Sequence, residues 1–156
     1  LNFFNFNLEK SGIYNIEMTW TAGAGHTATV TRTGDLPARD YSAVSVGLIG
    51  DGVKDGVWES ELFATTPAKD GDTYTWSYNG VDLVNSGAFK IRTEGTWDDI
   101  NEGFSDIIGG PDADDVEGTN DTKDGGDIKV KADGTYDIVF VIDAAAETKS
   151  ISFTKK

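Results

Sequence analysis

Apolar and polar residues alternate at period two along most of this chain. Tyr14, Ile16, Met18 and Trp20 fall on one side of an extended segment, and Asn15, Glu17 and Thr19 on the other. A strand sends successive side chains to opposite faces, so this pattern predicts a strand with one dry and one wet face. Residues 2–8 alternate likewise, with Phe4, Phe6 and Leu8 together. Residues 21–25 read as a turn, and 27–32 as the return strand of a hairpin. Between Thr33 and Asp40 the alternation stops and Gly and Pro appear, which predicts a linker. The pattern resumes with predicted strands at 43–49, 73–78, 88–92, 128–130, 135–142 and 150–154. Tyr74, Trp76 and Tyr78 share a face, and Phe89 and Ile91 point inward. Residues 51–60, which carry Trp58, read as a loop, as do 94–103. Residues 68–72, Asn79-Gly80 and 85–87 read as turns, and 62–67 are weakly patterned. The 3.6-residue period of a helix is absent. About seven short strands separated by turn signals predict an all-β, immunoglobulin-like or carbohydrate-binding-module type of β-sandwich, preceded by a β-hairpin.

Two of these stretches are near copies. Gly12, Tyr14 and Ile16 align with Gly134, Tyr136 and Ile138 at one constant offset. After the turn, residues 28–32 align with 151–155 once a single extra loop residue is allowed. A repeat of roughly domain length points to tandem β modules. The expected organisation is a closing hairpin of a preceding β module plus linker over 1–38, and a complete β-sandwich module over 39–156.

Composition narrows the possible partners. The 156 residues carry 13 Lys and Arg against 27 Asp and Glu, a formal net charge of −14. Phosphate backbones are held by clustered cations, so nucleic acid is an unsuitable partner, and so is an anionic membrane surface. Neutral ligands such as sugars are compatible with this charge. With 0 Cys there is neither a disulfide framework nor a thiolate metal site. No run of about 18 apolar, uncharged residues exists to span a bilayer as a helix.

Signatures of catalysis are scarce. The single histidine, His26, lies in the turn of the first hairpin, so a Ser-His-Asp arrangement cannot be assembled within 39–156. Two carboxylates would suffice for a glycosidase, but acidic residues are too abundant here for their presence to discriminate. The expectation is a non-enzyme without cofactor. The acidic run 111–127 has oxygen ligands suited to calcium but lacks EF-hand spacing, and a solvated acidic loop is the expected state, with no metal.

The segment from Phe89 to Asn101 is more specific. With Phe89 and Ile91 directed inward, Lys90 and Arg92 stand on the opposite face. Trp97 follows in a loop just past that strand, and Asn101 lies four residues further on. An exposed indole beside cationic and amide side chains suits sugars, whose C–H faces pack on aromatic planes. Sugar hydroxyls both donate and accept hydrogen bonds. Trp58 offers a second platform from another loop. Trp76, on a patterned strand face, reads as core. Either loop tryptophan also makes sense as a plug for one end of a sandwich.

The order of these pieces resembles a known family. Val46–Asp51, then Val57-Trp58, Thr73–Trp76, Gly87–Arg92, Thr96-Trp97 with Asn101 and Gly103, Gly126–Val130 and Gly134–Ile138 together are similar to the repeated starch-binding modules of SusE and SusF, outer-membrane lipoproteins of the Bacteroidetes starch-utilisation system. The resemblance covers about residues 41–156. It implies a non-catalytic, surface-displayed β-sandwich that binds starch or a similar α-glucan. In the full-length protein it would be lipid-anchored on the extracellular face of the outer membrane, within a glycan-uptake assembly and expected to be monomeric. Carried across position by position, it implies ligand contacts from Trp58, Lys90, Arg92, Trp97 and Asn101. The sequence departs from the pattern at Glu102, where an aromatic or neutral residue is expected, and in the length of the acidic run. A second reading stays open: an immunoglobulin-like structural or protein–protein spacer of a surface lipoprotein, without a sugar site.

Overall fold

A computed structural model describes residues 7–8, 11–104, 115–119 and 126–156. The predicted alternation at 2–8, except its last two residues, and most of the acidic run at 111–127 lie outside them. The chain divides into two compact units, Leu1–Ala38 and Arg39–Lys156. Both are built from antiparallel strands, and the described residues contain no α-helix.

The first unit holds one hairpin. Strand β1 (Ile13–Thr21) pairs with β2 (Gly25–Gly34) in a register that sets Ile16 opposite Val30 and Trp20 opposite His26.

In the second unit two four-stranded sheets form a sandwich. One sheet has the order β12-β11-β6-β5, built from β5 (Ala68–Asp70), β6 (Thr73–Leu83), β11 (Gly134–Asp143) and β12 (Thr148–Lys155). The other has the order β4-β3-β7-β8, built from β3 (Val46–Ile49), β4 (Leu62–Thr65), β7 (Lys90–Thr93) and β8 (Asn101–Glu102). A ribbon of β9 (Val116–Gly118) and β10 (Ile128–Val130) joins the second sheet through paired backbone bonds between Phe89 and Ile128.

Inward residues of both sheets make one contiguous apolar cluster. Tyr74, Trp76, Tyr78, Tyr136, Ile138, Phe140, Ile151 and Phe153 meet Val46, Leu48, Phe89 and Ile91. The Trp76 ring stacks on Phe140 at 5.2 Å. Its indole N–H donates to the Val44 carbonyl at 3.1 Å, and the Tyr78 hydroxyl donates to the Val46 carbonyl at 3.0 Å. Both bonds satisfy polar atoms that burial would otherwise leave costly; the second ties β6 to β3 of the other sheet, and the first ties β6 to the segment just before β3. The same burial pushes the Tyr78 hydroxyl pKa well above its ordinary value.

Three local readings are corrected. Asn79-Gly80 is a bulge inside β6 rather than a turn. Across it Val81 faces Tyr136 while Tyr78 faces Ile138, so β6 carries one extra residue. Gly80 takes φ 68° there, and the buried set switches from Tyr74, Trp76 and Tyr78 to Val81 and Leu83. Residues 68–70 are strand, paired with 73–75, and only Gly71-Asp72 turns. The 94–103 loop ends in β8, whose Glu102 faces Ile91 across the ladder.

Candidate functional site

The outer face of the β4-β3-β7-β8 sheet carries the unusual chemistry. Directly opposed residues on neighbouring strands share a face, so Gly47, Arg92 and Asn101 form one row across β3, β7 and β8. Ile49 and Lys90 form the next row, about 7 Å along the strands. Leu48 and Ile91 belong to the core cluster, which fixes the direction of these outward rows.

Gly47 makes the first row possible. A Cβ there would stand 2.8 Å from Glu61 Cβ, so only glycine leaves Glu61 room to lie across β3. Glu61 then meets the Arg92 guanidinium, which donates to its Oε1 from both Nε and Nη2. Both side chains are almost wholly buried. The guanidinium also packs on the Trp97 ring, with Cζ 4.0 Å from the ring centroid. Trp97 itself remains 44% exposed. The indole is therefore backed by a cation, a contact favoured by the ring quadrupole, while a large part of its surface meets solvent.

The Trp97 loop is fixed at both ends. The Thr93 hydroxyl accepts the Ile100 N–H at 3.1 Å, and the Thr93 N–H donates to the Ile100 carbonyl at 2.9 Å. The Thr96 hydroxyl accepts the Asp98 N–H at 3.1 Å. Arg39 donates to both Asp99 carboxylate oxygens, at 2.6 and 2.7 Å. That bidentate pair holds the Asp99 carboxyl below its ordinary pKa and raises Arg39 above its own.

The five residues singled out from sequence occupy different depths. Trp97 is exposed, while Trp58, Lys90 and Asn101 are half-buried. Asn101 Oδ1 is buried and accepts no hydrogen bond among the described residues. Trp58 follows β3 and packs by its Cζ2 edge near Gly50, whose N–H donates to the Val57 carbonyl at 3.0 Å. Arg92 stands on the expected face but is only 5% exposed, because Glu61 and Trp97 cover it. Its guanidinium supports the platform from beneath instead of reaching solvent. Glu61 was not anticipated; the only signal for it was a glycine in a strand, a mark of close approach. Glu102 points away from this face into the sandwich, where the Lys149 ammonium from β12 pairs with it. Glu102 therefore lies on the side of β8 opposite to the row of Arg92 and Asn101.

This arrangement holds an aromatic side chain over a buried ion pair, with Asn101 opposite Arg92 and Lys90 one row further along β7. Among the described residues no cluster of three metal-ligating side chains occurs. No family model, curated protein or solved structure matches the chain.

Proposed function

We propose that the Arg39–Lys156 unit is a non-catalytic carbohydrate-binding module that holds a polysaccharide at a cell surface for a glycan-uptake system. The observation that carries this reading is the Trp97 indole, solvent-facing yet backed by a buried, ion-paired guanidinium. Such a plate is ordered before ligand arrives, so stacking a pyranose C–H face on it costs little side-chain entropy. Asn101, opposite Arg92, and Lys90, one row further along β7, are the polar side chains of the same sheet face that would meet sugar hydroxyls, Asn101 through its amide N–H since its Oδ1 is buried; Trp58, in the loop after β3, extends the same reading. An α-glucan such as starch is the first ligand to test, on the strength of the family resemblance. The same resemblance supports a lipid-anchored setting on the extracellular face of the outer membrane. Binding by one small plate is weak, and repetition of modules along a chain raises the effective concentration for a polymer that presents many equivalent sugars.

The test is native gel electrophoresis of the chain through polyacrylamide containing soluble starch, with β-glucan and xylan gels alongside. The chain is expected to be retarded by the α-glucan. Trp97→Ala is expected to run as in an empty gel, and Trp97→Tyr to keep part of the retardation. A Trp97→Ala variant that is still fully retarded defeats the platform reading.

A further inference from the structure

The hairpin of the first unit and the closing hairpin of the second are the same object in register as well as in sequence. In β11–β12, Tyr136 pairs with Lys155, Ile138 with Phe153, Phe140 with Ile151 and Ile142 with Lys149. In β1–β2, Tyr14 pairs with Arg32, Ile16 with Val30, Met18 with Ala28 and Trp20 with His26. Every pair of one hairpin has its counterpart in the other, and the extra residue falls in the loop. The terminal cation recurs too. A Cβ at Gly134 would stand 3.0 Å from Lys155 Cε, and one at Gly12 would stand 2.6 Å from Arg32 Nε.

The two hairpins differ in what covers them. Tyr136, Ile138, Phe140, Ile151 and Phe153 are fully buried, against the layer that carries Val46, Leu48 and Ile91. Their counterparts are more open: Ile16 is 52% exposed and Met18 68%, Tyr14, Ala28 and Val30 are half-buried, and Trp20, the counterpart of the buried Ile142, is 73% exposed. The opposite face of β1–β2 carries Asn15, Glu17, Thr19, Thr27, Thr29 and Thr31, so only one side is suited to burial. The edges differ as well. β11 pairs with β6 on its far side, whereas β1 has no second strand neighbour among the described residues. An isolated two-stranded hairpin is marginal in water, and a contiguous apolar face on one marks an interaction surface.

We infer that the face formed by Tyr14, Ile16, Met18, Trp20, Ala28 and Val30 is a docking surface for one occupant. That occupant is the body of a β module of the same kind, placed ahead of this hairpin. It supplies a β6-like strand to the open edge of β1 and a β3/β7-like layer to the apolar face. The interface already formed by β11–β12 within this chain is the precedent, since the corresponding positions there carry out both tasks. Met18, Ala28 and Val30 are smaller than Phe140, Ile151 and Phe153, so the natural occupant presents bulkier side chains opposite them than this module does.

The test uses the chain as it is and a chimera in which residues 39–131 are placed directly before Lys10. A second chimera adds Met18→Phe, Ala28→Ile and Val30→Phe, restoring the side-chain sizes of β11–β12. Each is labelled with 5-fluorotryptophan, and the Trp20 fluorine signal is assigned by Trp20→Phe. In the 1–156 chain the Trp20 signal is expected to be open to a soluble paramagnetic quencher and independent of protein concentration. In the chimeras it is expected to shift and to become several-fold less accessible, most in the second. A Trp20 signal already shielded in the 1–156 chain overturns the proposal. If that shielding depends on concentration, the occupant is a second copy of the chain; if not, it is another part of the same chain. A signal equally accessible in the 1–156 chain and both chimeras also overturns it.

Discussion

Arg92 shows how far alternation along a strand can be read. Its position next to Ile91 fixes the face on which it lies, and that much follows from a period of two. Depth does not follow, because it depends on Glu61, which is remote in sequence and reaches Arg92 only across the bare Cα of Gly47. The consequence is energetic. Removing one partner of a buried ion pair leaves an uncompensated charge, at a cost of about 3–5 kcal/mol. Glu61→Gln is therefore expected to destabilise the module by that amount in urea unfolding. Glu61→Gln with Arg92→Met removes both charges and is expected to recover most of the loss. The double variant still lacks the cation under Trp97, so its retardation by α-glucan is expected to stay below that of the unmodified chain. Trp76 and Trp97 provide a second contrast. Trp76→Ala empties a fully buried site and is expected to cost about 3–5 kcal/mol. Trp97→Ala removes an exposed ring and its cation–π contact, and is expected to cost about 1 kcal/mol, read as a small shift in melting temperature. Comparable losses for the two variants would identify Trp97 as core.

At the scale of elements, the long strands were legible because their burial is one-sided. Tyr74, Trp76 and Tyr78 in β6, and Tyr136, Ile138 and Phe140 in β11, alternate with residues of the outer face. The short strands were not legible. Ala68–Asp70 is exposed throughout and owes its conformation to backbone bonds with β6, which leave no hydrophobic pattern. Asn101–Glu102 forms because β7 offers an edge, a tertiary cause that local sequence does not carry. Asn79-Gly80 gave the right local signal and the wrong element, since a turn and a bulge both ask for a residue with positive φ. The carboxylate of Asp137 accepts the Gly80 N–H at 2.7 Å and so fixes the bulge from the neighbouring strand. At φ 68° an alanine is strained by roughly 1–2 kcal/mol. Gly80→Ala is expected to lower the unfolding free energy by that amount in denaturant titration. Its retardation by α-glucan is expected to be unchanged, because β6 lies in the sheet that does not carry Trp97.

Over the whole molecule, a net charge of −14 and a set of well-held carboxylates pull in opposite directions as pH falls. Protonating ordinary surface carboxylates relieves self-repulsion, and salt screens that repulsion at any pH. Three carboxyls behave differently. Asp40 lies well below the usual range because it accepts from the Ser42 hydroxyl, the Ser42 N–H and the Tyr74 hydroxyl. Asp99 is lowered by Arg39, and Asp137 by Lys156 and then the Gly80 N–H. A carboxyl whose folded pKa lies below its unfolded value of about 3.9 contributes stability that is complete above that value. The contribution is lost as pH falls through the folded pKa. The melting temperature is therefore expected to be nearly flat from neutrality to about pH 5 and to decline below about pH 4. Added salt is expected to raise the neutral plateau and leave the acid decline in place. Asp99 gives this a functional reading, since its bidentate bond to Arg39 ties down the loop that presents Trp97. Asp99→Asn is expected to lower the neutral melting temperature, shrink the acid decline and weaken glycan retardation at pH 7. If the variant keeps full retardation while losing stability, the Arg39–Asp99 pair holds the fold together without positioning the indole.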